Sequence, residues 1–225
     1  MPTTRGLKLR LNRLINPSLR RLLRTHGWTS QEQLEYLMAQ VHALQERATI
    51  VEVGVWYGRS ALALAEACRG THRRVFAIDP WRNYSASDNG EQSAFDGTAM
   101  MKDAGVASFE DVYQSFLRQV HELELADWIT ILRMTSLQAA QAWPSTRPID
   151  LIFIDGNHTY EAVSSDLKAW SPHIAKGGSI CGDDWDFPVN DDFKSVQRAV
   201  KDFLNEHPRY TLSLPRSNTW EIKIK

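Results

Sequence analysis

Two apolar runs in the second half of the chain end in carboxylates, and that pairing restricts the fold more than any other feature. Ile149–Ile154 runs into Asp155, and residues 179–182 run into Asp183 and Asp184. Between them lie a helical pattern from about Tyr160 and a glycine turn at Gly177-Gly178. Strand, acidic turn, helix, glycine turn, strand reads as a βαβ unit, so the strands run parallel and both acidic ends reach one edge of a sheet. In an open α/β sheet that edge is where ligands bind. Three carboxylates converging there repel one another unless a cation lies among them. Hard oxygen donors suit Mg²⁺ and Ca²⁺ far better than zinc. The stretch therefore reads as a divalent-metal and catalytic platform, with turn and capping carboxylates as the plainer alternative.

An earlier unit supplies the other half of such a site. Residues 49–55 (TIVEVGV) form an expected β-branched strand, followed by Gly54, Gly58 and a helical pattern over residues 60–67. Glycines permit a tight turn and close backbone approach, and a helix N-terminus offers free N–H groups. The spacing is G-x-x-x-G, so the dinucleotide fingerprint G-x-G-x-x-G is missing and a nicotinamide-dependent oxidoreductase is disfavoured. Glu52 sits inside the strand, where a carboxylate is costly without a partner; a cationic or hydroxyl-rich ligand would supply one. Arg74–Ile78 is the second strand and ends in Asp79, placed either to accept hydrogen bonds from ribose hydroxyls or to shape the turn before Pro80. Trp81 is a candidate cover for an adenine face or a packing residue. After a third strand over 129–134, Thr135 and Ser136 cap a helix at the ligand edge, where they either touch an adenine or serve only as a cap.

At 225 residues with 43% hydrophobic content, the chain suits one α/β domain with a short appendage. Apolar runs are too short for a membrane span and the start lacks a signal-peptide core, so a cytoplasmic location is the default expectation. Cys68 and Cys181 fall in a predicted helix and strand and read as small buried residues, not a disulfide framework. Residues 1–25 carry seven basic residues and no acid, leaving a net charge of −8 on the rest. That balance argues against a nucleic-acid partner. The basic start packs on its own domain or on a second subunit of an expected homodimer; membrane contact through residues 1–25 is the less favoured alternative.

The remaining elements follow periodicity. Thr29 or Ser30 caps a helix with Leu34, Leu37, Met38, Val41 and Leu44 on one face. Residues 1–47 are thus a basic helical segment before a main domain at 48–225. Residues 83–108 break the pattern and read as a lid-like insertion. A helix over 109–123 turns Val112, Phe116 and Val120 inward. Asp191 or Asp192 caps a helix reaching about 205, with Phe193, Val196, Val200, Phe203 and Leu204 inward. Residues 210–214 and Thr219–Ile224 alternate as a closing antiparallel hairpin.

The segments VEVGVWYGRSALALA, VFAIDPW, IDLIFIDGNHTYEAVSSDLKAW and GGSICGDDW together resemble class I S-adenosylmethionine-dependent methyltransferases. The D-G-x-H-x-Y…D-L…W…GG…DD pattern is similar to small bacterial O-methyltransferases of the macrocin and cephalosporin-biosynthesis group, and its strand-end carboxylates resemble the catechol O-methyltransferase type. The resemblance covers about residues 48–224. It implies an α/β, Rossmann-like, seven-stranded and mostly parallel sheet with helices on both faces and a C-terminal antiparallel hairpin.

It also implies an S-adenosylmethionine site. Glu52, Gly54, Gly58 and Ser60 lie by its amino-acid end, Asp79 by the ribose, and Thr135 and Ser136 near the adenine, with Asp155 also counted among the cofactor-binding residues. Mg²⁺ is implied on Asp155, Asp183 and Asp184; Asp184 replaces an Asn of the catechol enzymes and leaves the exact ligand set open. His158 stands where those enzymes carry a lysine base. Base, metal ligand and turn residue all remain readings for it. Tyr160 and Trp185 are candidate substrate walls. The expected function is metal-dependent O-methylation of a small hydroxylated molecule, a sugar or a phenolic natural product. The alternative is an S-adenosylmethionine-binding accessory protein without transfer activity.

Overall fold

A computed structural model describes residues 17–86, 94–186, 194–216 and 218–224. In chain order the elements are α1 (Pro17–Leu22), α2 (Gln31–Ala43), β1 (Thr49–Val53), α3 (Arg59–Cys68), β2 (Arg74–Ile78), α4 (Thr98–Ala104), α5 (Phe109–Glu122) and β3 (Ile129–Leu132). They continue with α6 (Ser136–Ala142), β4 (Ile149–Ile154), α7 (Tyr160–Trp170), β5 (Ile174–Gly182), α8 (Ser195–Glu206), β6 (Tyr210–Arg216) and β7 (Thr219–Ile224). The strands form one sheet in the order β3-β2-β1-β4-β5-β7-β6. The first five are mutually parallel, and β7 is antiparallel to both β5 and β6. This is the expected Rossmann-like methyltransferase architecture.

Strand alternation splits the core into two layers. Ile50, Phe153 and Cys181 face one layer, with Leu34 and Leu37 of α2, Leu62 of α3 and Phe116 of α5. Val51, Ile152 and Ile180 face the other, with Leu167 and Trp170 of α7 and Val196, Val200 and Phe203 of α8. Successive strand side chains point to opposite faces, so a strand buried on both sides reads as a continuous apolar run. Leu19 and Leu22 of α1 are buried in the first layer, so the described part of the basic segment packs on its own domain. Both cysteines are free and buried. No helix among the described residues is long and apolar enough to cross a membrane.

Three boundaries differ from expectation. Strand β5 begins at Ile174, five residues early, because Ile174, before the Gly177 turn, also pairs with Ile149 of β4 across a register shift. Strand β3 stops at Leu132. The insertion is not wholly irregular: Tyr84 and Phe95 form an antiparallel bridge, and α4 runs to Gly105, which takes a left-handed conformation at its C-cap. Residues 1–16, residues 87–93 of the insertion, and Asp191, Asp192 and Phe193 lie outside the described residues.

Candidate active site

The carboxyl ends of β1, β2, β4 and β5 meet at one sheet edge, because all four strands run the same way. Glu52 of β1 is fully buried. Ser60 Oγ, in the first turn of α3, donates to Glu52 Oε1 at 2.6 Å, while Oε2 is buried with no hydrogen-bond partner. Burial pushes the Glu52 pKa up to about 8; the Ser60 hydrogen bond opposes the shift and the Asp79 charge adds to it. An orphaned carboxylate oxygen costs free energy, and a cationic ligand group is the partner that relieves it.

The glycine turn is shaped by its own neighbours. Gly54 and Gly58 have φ of 86° and 87°. A Cβ on Gly54 would lie 2.1 Å from the Asp155 carbonyl oxygen, and one on Gly58 would lie 2.2 Å from the Phe116 ring. The tight turn and close approach expected of these glycines are formed against the β4 turn and α5, which leave no room for a side chain. Asp79 then pins this turn. Its Oδ2 accepts from the backbone N–H groups of Val55 at 2.9 Å and Trp56 at 3.0 Å, and its Oδ1 from that of Trp81 at 2.6 Å. Burial raises the Asp79 pKa in spite of these three bonds. They leave about one of the four acceptor positions of a carboxylate for a ligand hydroxyl.

Three expected nucleoside contacts are committed elsewhere. Trp81 is 1% exposed, donates from Nε1 to the Trp56 carbonyl at 2.9 Å and stacks on Phe116, so it is core under α5 and not an adenine cover. Thr135 caps α6 in a capping box with Gln138. Ser136 Oγ donates to Asp166 and accepts from Trp170 Nε1 at 2.9 Å, turning toward α7. For both residues the capping and packing contacts are formed.

At the second half of the edge, ligand atoms of Asp155, His158 and Asp184 lie within 4.8 Å of one another. His158 Nε2 is 2.8 Å from Asp184 Oδ2. Burial, then the charges of Asp183, Asp184 and Glu52, raise the Asp155 pKa well above the ordinary carboxylate value. Burial also pushes Asp184 up, but the His158 hydrogen bond and charge and the Asn218 amide hold it below its ordinary value. Two carboxylates and an imidazole converging in a strongly anionic pocket fit a divalent cation.

Asp183 is turned differently. Its Oδ1 accepts from Gln33 Nε2 at 2.6 Å, from the Asp184 backbone N–H at 2.8 Å and from Asn218 Nδ2 at 3.1 Å. Burial and the Asp184 charge push its pKa up to about 6 against these hydrogen bonds. Of the expected trio, Asp155 and Asp184 thus meet His158, while Asp183 Oδ1 is taken up by Gln33, Asn218 and the Asp184 backbone. Neither Gln33 nor Asn218 was expected at the site. Gln33 is legible in sequence only as the third residue of a helix, and Asn218 only as a turn residue.

The two expected substrate walls also have partners within the fold. Tyr160 donates from its hydroxyl to Asp202 Oδ2 at 2.9 Å, beneath the Arg198 guanidinium. Trp185 is 7% exposed in the α8 layer, with the Lys201 ammonium 5.6 Å from its ring. Both side chains serve the packing of α8. The rings nearer the glycine turn are Trp56, stacked on the exposed Trp28 at 6.2 Å and edge-on to Phe109. The insertion reaches the acidic turn through Asn157 Nδ2, which donates to the Ala94 carbonyl at 3.0 Å.

Comparison with known proteins bears on this edge. A Sinorhizobium fredii protein, y4gI, which carries no assigned function, is 27% identical over 137 residues; these are 60% of this chain but 13% of that protein. The chain is similar in structure to a Staphylococcus aureus protein provisionally named a caffeoyl-CoA O-methyltransferase (TM-score 0.68, 15% identity, 97% of each chain). It is similar to a Bacillus cereus O-methyltransferase in complex with SAH (TM-score 0.64, 16% identity, 98% of this chain and 97% of that one). It is also similar to the Streptomyces achromogenes O-methyltransferase TomG in complex with SAM (TM-score 0.65, 14% identity, 100% and 98%). At such identities the likeness is one of fold. Residues 51–185, more than half of the chain, match the family described as "Methyltransferase domain". Those residues hold the glycine turn, Asp79 and the whole Asp155–His158–Asp184 cluster, and the chain belongs to that methyltransferase family.

Proposed function

We propose that the protein is an O-methyltransferase that moves a methyl group from S-adenosylmethionine to a hydroxyl of a small molecule, with a divalent cation, Mg²⁺, at the acidic edge. The observation that carries this reading is the juxtaposition of two features at the ends of adjacent strands. One is the orphaned Glu52 Oε2, suited to a ligand ammonium. The other is the Asp155–His158–Asp184 cluster, whose two carboxylates suit a cation and whose imidazole suits a base. The SAM and SAH complexes among proteins of the same fold support it.

When bound, S-adenosylmethionine supplies an electrophilic methyl group and the cation a Lewis acid that lowers the pKa of a hydroxyl. The chain's own residues do the rest. Glu52, with one oxygen fixed by Ser60, presents the other to the ammonium. Asp79 keeps the glycine turn closed and offers its remaining acceptor position to a ribose hydroxyl. Asp155 and Asp184 would hold the cation. His158, oriented by its hydrogen bond to Asp184, takes the proton of the acceptor hydroxyl. A sugar or phenolic natural product is the acceptor class; TomG, of the same fold, is described as acting in tomaymycin synthesis.

The test is incubation with isotopically labelled S-adenosylmethionine, Mg²⁺ and a panel of sugars and phenols, followed by assignment of the methylated atom. Label on oxygen is expected, with turnover lowered roughly 10²–10⁴-fold in His158→Ala while S-adenosylmethionine binding persists. Methyl transfer to nitrogen or carbon alone would contradict the reading.

A further inference from the structure

Two amide side chains, both outside the residues that match the family, converge on the carboxylates of the acidic edge. Gln33 comes from the first turn of α2, 150 positions from Asp183. Its two amide ends do separate things. Oε1 accepts from the Ser30 backbone N–H at 2.8 Å, closing the capping box of α2, and Nε2 donates to Asp183 Oδ1 at 2.6 Å in a buried bond. Because the cap fixes Oε1, the amide cannot rotate, and the donor is aimed at Asp183. From the other side Asn218, in the turn between β6 and β7, places one Nδ2 against two carboxylates, 3.1 Å from Asp183 Oδ1 and 3.0 Å from Asp184 Oδ1. Asp184 and Asn218 both have positive φ, 59° and 63°. Such backbone costs energy and persists where its surroundings determine it.

We infer that Gln33 is a positioning residue for the cation site. Gln33, together with Asn218, occupies Asp183 Oδ1 and fixes the orientation of that carboxylate. The fixed Asp183 and the shared Asn218 amide then hold Asp184 in the orientation in which it meets Asp155 and His158. The N-terminal helix α2 is thus part of the metal-binding apparatus, and the chain of contacts runs Gln33, Asp183, Asn218, Asp184, His158. The inference rests on the cation reading above. It deepens that reading by naming what sets the ligand geometry. Outer-shell partners of metal ligands carry roughly 10–100-fold in affinity when removed.

The experiment titrates the full-length protein, free of S-adenosylmethionine, with Mn²⁺ followed by electron paramagnetic resonance. It uses wild type, Gln33→Leu, Asn218→Gly and Ser30→Ala. Glycine at 218 tolerates the positive φ while removing the amide. Ser30→Ala weakens the α2 cap without touching Asp183. Gln33→Leu and Asn218→Gly are expected to weaken Mn²⁺ binding about tenfold or more, and Ser30→Ala to leave it unchanged. Equal Mn²⁺ affinity in wild type and Gln33→Leu overturns the inference. So does an equal loss in Gln33→Leu and Ser30→Ala, since helix stability alone would then account for it. Absence of Mn²⁺ binding in wild type overturns the cation reading itself.

Discussion

Glu52 carries the sharpest consequence at the scale of single residues. A carboxyl with a folded pKa of about 8 keeps its proton over a range where the unfolded chain has lost it. Stability therefore falls as pH rises from the ordinary glutamate value of 4.5 toward 8, by at most about 1.4 kcal/mol per pH unit from this group. Glu52→Gln removes the charge and preserves the Ser60 contact. Urea midpoints measured between pH 5 and 8 are expected to decline less steeply in Glu52→Gln than in wild type. Parallel declines would show that Glu52 is ionised without cost in the folded protein. The residue was legible in the sequence as a carboxylate inside an apolar strand. Its partners were legible in part: Ser60 lies eight positions on, at the start of the next helix, whereas the orphaned Oε2 is a fact of packing.

Turn geometry governs the element scale. The sequence marks Gly54 and Gly58 as special but does not say what presses on them. Asp155 is about a hundred positions from Gly54, and Phe116 nearly sixty from Gly58, so neither contact has a local signal. Gly58→Ala is expected to destabilise the fold by about 1–3 kcal/mol, from left-handed backbone strain and from overpacking against Phe116. Adding Phe116→Ala opens space at the same place. The double variant should then be less destabilised than the sum of the two single ones, measured by denaturant unfolding. Strict additivity would mean that backbone strain alone forbids a side chain at 58. The same distinction applies to two aromatic residues. Tyr160 and Trp185 flank the acidic turns in sequence, and proximity along the chain suggested a substrate wall. The position of α8, which takes the Tyr160 hydroxyl on Asp202 and stacks Lys201 over Trp185, appears only in three dimensions.

Across the whole molecule, the strand order and the closing hairpin follow from features the sequence displays: apolar runs ending in acids, helical periodicity between them, and alternation at the C-terminus. The N-terminal segment is where sequence reasoning divides the chain too early. Leu34, Leu37 and Val41 of α2 are fully buried against the sheet layer shared with α3 and α5. Each such side chain contributes roughly 1.5–3 kcal/mol, against a total folding stability of about 5–15 kcal/mol. Residues 48–225 expressed alone are therefore expected to lack a cooperative unfolding transition by circular dichroism. A cooperative transition with wild-type midpoint would show that α2 is dispensable. Periodicity identified the buried face of α2 but not its destination, and so could not reveal that its first turn reaches the acidic edge.

These scales meet in the claim that the carboxylates gathered by parallel strands hold a cation used in methyl transfer to a hydroxyl. The direct measurement is the rate of methyl transfer from S-adenosylmethionine to a hydroxylated acceptor after treatment with EDTA and during stepwise return of Mg²⁺. The account predicts loss of transfer in EDTA, recovery that saturates with Mg²⁺, and no recovery in Asp155→Ala. An undiminished rate in EDTA would contradict it.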